Sequence, residues 1–128
     1  MQIFLLASTL SGVISRFFGG FDTLLKAIIT FVILDYLTGV MQAIANKKLS
    51  SSIGFKGIFK KVLIFFIIGI AVTLDNILGT NNLRYIVIIF YIVNEGISII
   101  ENAAKMGLPI PKKIKDTLEK FNEEKGDT

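Results

Sequence analysis

Two carboxylates stand where so apolar a chain has the least use for them. Asp35 is the only formal charge in residues 27–45 (AIITFVILDYLTGVMQAIA), and Glu95 follows the apolar run YIVIIFYIV. Two acids of this kind are the raw material of an acid/base pair. No nucleophile, metal-ligand set or cofactor loop accompanies them. The chain also has no cysteine and no histidine, which removes thiolate chemistry, disulfides, the commonest metal ligand and the usual general base. The expectation is therefore no enzyme, no metal and no cofactor.

The neighbours of the two acids are more informative. Asp35, Thr38, Gly39, Gln42 and Asn46 recur at spacings of three and four, so a helix gathers them on one side. Asn94, Glu95, Ser98, Glu101 and Asn102 repeat the pattern further along. The side of the first segment with Ile28, Phe31, Val32 and Met41 is read as the lipid side. As a helix, the 19 residues 27–45 are about 28 Å long, close to the hydrocarbon thickness of a bilayer. An acid at the middle of such a span costs roughly 2.5–3.5 kcal/mol on insertion. Neither acid has an obvious Lys or Arg partner inside the apolar segments. Buried, the two are expected to be neutral or satisfied by Asn94, Gln42 and Thr38, and to ionise when facing water.

Composition agrees with a membrane setting. Hydrophobic residues make up 52% of 128, more apolar surface than a soluble chain of this length can bury. The net charge of +4 comes from basic residues that flank the apolar segments. They lack the aromatic interleaving of a nucleic-acid surface, and read instead as topology signals and contacts to lipid headgroups.

The expected fold is all-α: an integral membrane protein with three spanning helices near 24–45, 58–78 and 83–104. An amphipathic helix precedes them and a short charged helix follows. The corresponding domains are 1–20, 21–108 and 109–128. Residues 1–18 have a small polar face of Ser8, Ser11, Gly12 and Ser15; a signal peptide or a fourth span are alternatives, and a helix lying in the membrane interface is preferred. Residues 46–61, with a serine run and two glycines, read as a polar connector with turns. Its lysines, Lys47, Lys48, Lys56, Lys60 and Lys61, are assigned to the headgroup layer, the last two by snorkelling. In the second span, Gly69 and Thr73 form a small-xxx-small pair fit for close helix approach, or are two small residues there by chance. Ile110, Ile114, Leu118 and Phe121 make a thin apolar stripe on the tail, where Lys112 with Asp116, Lys115 with Glu119, and Lys120 with Glu124 are spaced to pair. Gly107, Pro109 and Pro111 separate it from the third span.

Lysine bias sets orientation. Five lysines lie in 46–61 and six from Lys105 onward, whereas 79–84 carries only Arg84. Three spans place the two lysine-rich segments on one side, the cytoplasm, so the C-terminus is expected inside.

Four stretches in order carry a resemblance: Asp35-Tyr36-Leu37-Thr38-Gly39; Gly54-Phe55-Lys56-Gly57 with Lys60-Lys61; Asn94-Glu95-Gly96-Ile97-Ser98-Ile99-Ile100-Glu101-Asn102; and Gly107-Leu108-Pro109-Ile110-Pro111. Over about residues 20–115 the chain resembles the phage holins of the toxin-secretion/phage-lysis type. That resemblance implies a phage-encoded protein of the bacterial cytoplasmic membrane that forms homo-oligomers. These open large holes through which an endolysin or a toxin escapes. The polar stripes would then line the hole or the oligomer interface, or only join helices. An antiholin with the same motifs, or a small ion channel or transporter, are the competing readings. No selectivity filter or inverted repeat favours the latter.

Overall fold

The computed structural model describes residues 1–126, and within 1–120 the side chains of all but Ile53. Phe121 of the tail stripe and Glu124 of the last spaced pair lie outside the side chains described. The described residues form five helices and no strand: α1 (Gln2–Phe17), α2 (Thr23–Ala45), α3 (Ser51–Leu78), α4 (Asn82–Lys105) and α5 (Lys112–Gly126). Three of them, Thr23–Ala45, Gly54–Leu78 and Asn82–Lys105, are long and apolar enough to cross a membrane. α1, at 16 residues, is shorter. The central element is α4, which packs along α2, α3 and α5, while α2 and α3 meet far less.

The helix limits have local causes. Asp22 caps α2, its Oδ1 accepting from the Leu25 amide at 3.0 Å. Gly79 and Gly107, both at positive φ, let the chain turn out of α3 and α4. α3 begins at Ser51, about two turns before the sequence-based start near 58. Gly54 and Gly57 read as turn signals, yet both are helical. Both lie beside Tyr36 of α2, where a Cβ would be in ordinary contact with its side chain, and packing of the helix against α2 outweighs their weak helix propensity.

Leu25, Ile28 and Val32 of α2 pack with Ile64 and Ile68 of α3 and Ile88 of α4. This corrects the lipid side expected for the first span. Ile28 and Val32 stand four and three residues apart along the line that leads to Asp35, so they share its inward face. The outward side chains are Ile33, Leu34, Leu37 and Met41.

The corner between α3 and α4 is closed by a buried acid. Asp75 accepts from the amides of Leu83 (3.1 Å) and Arg84 (2.9 Å) and from the Thr80 hydroxyl (2.7 Å). Asn81, the cap residue by position, makes no side-chain cap bond, so α3 supplies the N-terminal cap of α4.

Arg84 ties this corner to the start of the bundle. Its Nε donates to the Phe18 carbonyl (2.6 Å), Nη2 to the Gly20 carbonyl (3.1 Å), and Nη1 and Nη2 to the two Asp22 carboxylate oxygens (2.8 and 2.9 Å). The guanidinium holds the Asp22 carboxyl down at about 2, from an ordinary 3.8. A depressed acid stabilises the fold above its unfolded value, so this contribution is complete above about pH 4 and is lost as pH falls toward 2. Gly19 lies against the same arginine. It has φ +79°, and a Cβ there would sit 2.6 Å from Nε and 2.7 Å from Cδ. Gly19→Ala is expected to lower stability by about 2 kcal/mol or more, through left-handed strain and a displaced Arg84. Gly12→Ala, with open space around it, is the control and should cost nothing. Thermal unfolding of the two variants in detergent checks this.

Beside this corner Phe17 covers Gly69, where any Cβ would run into its ring, and Phe18 meets Phe65 edge-on at 5.9 Å. The neighbour at Gly69 is thus the end of α1 and not another span. Thr73 donates its hydroxyl to the Gly69 carbonyl of its own helix at 2.9 Å.

Candidate functional site: an ion cluster joining three spans

Each of the three spans contributes one charged side chain to a single cluster. The Lys61 ammonium of α3 lies 2.6 Å from Asp35 Oδ2 of α2, and 3.1 and 2.9 Å from the two carboxylate oxygens of Glu95 on α4. Side-chain exposure is 7% for each acid and 21% for Lys61. Asn102, buried one helical repeat beyond Glu95, donates to Asp35 Oδ1 (3.1 Å), the Asp35 carbonyl (3.3 Å) and the Thr38 hydroxyl (3.0 Å). Thr38 in turn donates to the carbonyls of Leu34 and Asp35. Gly39 faces the Asn102 amide, where a Cβ would lie 3.6 Å away. Ser98, half-buried, lies one turn beyond Glu95 on α4.

The cluster is deep. Asp35 lies about 18 Å along α2 from its first residue and about 15 Å from its last, and Glu95 is placed similarly on α4. Lys61 lies about 21 Å along α3 from Asp75, which marks the level of the α4 N-terminus. The expectation that the acids have no cationic partner is therefore corrected, as is the assignment of Lys61 to the headgroups. Starting at Ser51, α3 carries Lys61 almost three turns into the helix and turns it inward. Lys60, Lys56, Lys47 and Lys48 are exposed. A cavity of about 230 Å³ between α2 and α3, lined in part by Tyr36, Gln42, Gly54 and Gly57, reaches Asp35 and Lys61 from the 46–50 connector.

The remaining stripe residues are placed elsewhere. Gln42 bonds Asn46, whose Nδ2 donates to its side-chain oxygen at 3.2 Å. Asn94 and Glu101 are exposed on the outside of α4. Sequence reasoning named Lys61 but gave it the wrong partner, although a signal existed: it immediately precedes the uncharged run 62–74, and two acids within spans call for a cation.

Physically the cluster is a lock. Two carboxyl groups share one ammonium, and charge-assisted bonds at low dielectric join three helices that the hydrophobic effect does not drive together in lipid. Among the described residues no group of three or more His, Cys, Asp or Glu side chains is gathered as a metal would require.

Comparison with known proteins places the chain in a family. Residues 12–123 match the model of the bacteriophage holin family. A 14.9 kDa protein of Clostridium perfringens is 47% identical over 110 residues, covering 84% of this chain and 83% of that one. The Bacillus subtilis protein YqxH is 40% identical over 109 residues, 84% of this chain and 77% of its own length. A protein of Bacillus phage phi105 named a probable holin is 40% identical over 87 residues, covering 67% of this chain and 64% of that one. No solved structure matches. With three helices fit to span and a family match over most of its length, the chain is a multi-pass membrane protein that belongs to the bacteriophage holin family.

Proposed function

We propose that this chain is a holin in the narrow sense. It accumulates in the bacterial cytoplasmic membrane, forms homo-oligomers, and opens large non-specific holes through which an endolysin or toxin leaves the cell. The observation that carries this reading is the Asp35–Lys61–Glu95 cluster within a chain of the holin family. Three helices are too few to enclose a wide hole, so the work requires many copies. In one copy the cluster satisfies its own charges, which gives a stable inserted subunit. Assembly offers a second arrangement in which the same groups meet a neighbouring copy or water. Two alternative satisfactions of one polar set are what an abrupt transition needs. Residues 1–20 lie in the interface, and Lys47, Lys48, Lys56 and Lys60 face headgroups on the cytoplasmic side with the C-terminus.

The test is inducible expression in bacteria with live readout of membrane potential and of a large folded cytoplasmic reporter. Sudden release of the reporter is expected. Depolarisation without release would favour a channel or small-hole variant, and neither event would favour an antiholin or an unrelated role. Orientation is checked separately, since the chain has no native cysteine. Ser51→Cys should stay unlabelled by an impermeant maleimide added to intact cells before lysis, and labelling from outside would reverse the topology.

A further inference from the structure

The outside of the bundle has two unlike sides. On α3 the outward residues Leu63, Phe66, Ile70 and Leu74 are all exposed and all apolar. The α4 side is different, because α5 folds back along it. Leu118 and Ile114 share a cavity of about 650 Å³ with Phe31, Leu34, Gly96 and Ile99. A Cβ on Gly96 would lie 3.2 Å from both Leu118 and Phe31. Gly96 adjoins Glu95, so α5 reaches the depth of the ion cluster, about 14 Å below the last residue of α4.

The rest of α5 is charged. Lys112, Lys113, Lys115, Asp116, Glu119 and Lys120 are all exposed. The polar surface continues onto α4, where Glu101 shares a cavity with Lys115 and Glu119. Asn94, seven residues before Glu101 and so on the same helix face, is exposed at mid-span. From Lys112 to Leu118 α5 runs about 9 Å inward, so of its exposed charges Glu119 and Lys120 lie at or beyond the level of Gly96, where a charge facing hydrocarbon is costly. The inward stripe of Asp35, Glu95 and Asn102, by contrast, is engaged within the single copy until assembly rearranges it.

We propose that the α4–α5 side is the wall of the hole: in the open assembly α5 lies docked on α4 within the lumen, which is continuous with the cytoplasm, its charged face lines that lumen together with Asn94 and Glu101, and α3 faces lipid. The only water at this depth in a membrane is in a hole, so the docked α5 marks the side that meets it. The inference rests on the holin reading and adds which surface does the work.

Gly96→Cys/Leu118→Cys, in a chain otherwise free of cysteine, joins α5 to α4 on oxidation. The purified variant is reconstituted in vesicles loaded with a folded fluorescent protein. Oxidised and reduced forms are expected to release the cargo at rates within about twofold of each other. Release by the reduced form but not by the oxidised form overturns the proposal, because α5 must then leave for the hole to open. Absence of release by the native chain overturns the holin reading itself. A second measurement avoids the tight Gly96 position. In leaking vesicles Asn94→Cys is expected to react with a water-soluble maleimide at least tenfold faster than Phe66→Cys, and equal rates overturn the assignment.

Discussion

Lys61→Met is expected to cost about 3–5 kcal/mol of stability. It leaves Asp35 and Glu95 adjacent, buried and without their cation, and removing one member of a buried charge cluster costs far more than the cluster contributes. Methionine fits the space of the lysine stem and cannot neutralise either acid. The prediction has an internal rescue. Asp35→Asn/Lys61→Met/Glu95→Gln removes all three charges while keeping hydrogen-bonding capacity, and should recover most of the loss. Unfolding in detergent, together with the amount of protein accumulating in membranes, measures both. If Lys61→Met alone were as stable as the native chain, the ammonium would be snorkelling to the surface and the three spans would be held by apolar packing only. Lys60→Met, one residue away and exposed, should leave stability unchanged within about 0.5 kcal/mol.

Glu95 separates stability from timing. Its carboxylate is directed to Lys61, while Asp35 retains both Lys61 and Asn102. Glu95→Leu therefore leaves a balanced one-to-one pair and should insert well, at a cost of about 1–2 kcal/mol for the lost charge-assisted bonds. Its effect on function should be larger than its effect on the fold. With the second acid gone, the cluster loses the carboxyl group that shares Lys61 with Asp35 and that a second arrangement would release. Lysis is expected to fail or to come at a clearly different time. Glu95→Gln keeps shape and hydrogen bonding and should shift timing less. Lysis curves at matched membrane levels decide the matter, and native timing for Glu95→Leu would mean that this carboxylate carries no function.

The spans were legible because their signal is local: length, hydropathy and the glycines and prolines between them. α2 and α4 were placed to within about two residues by that signal. The start of α3 was not, because Gly54 and Gly57 carry one meaning in a local window and another beside Tyr36 of a different helix. The error propagated. A helix taken to begin near 58 puts Lys61 in its first turn, at the headgroups, and leaves the two acids without a cation. The inward course of Ile28 and Val32 toward Asp35 was present in the spacing and was misread as a lipid face. The path of α5 had no local signal at all, since its apolar stripe fits a membrane surface as well as it fits α4.

The cap that Asp75 places on α4 also bears on how the protein enters a membrane. Whenever α3 and α4 insert as a hairpin, the turn between them is the part carried across the bilayer. Its cargo of charge is one carboxylate and one guanidinium, Asp75 and Arg84, which sum to zero, and the first free amides of α4 travel already bonded to that carboxylate. The hairpin thus crosses with two of the first amides of α4 already covered and with only one acid and one guanidinium to dehydrate. The helix pair that holds Lys61 and Glu95 can be in place before anything else in the chain has to be rearranged around it.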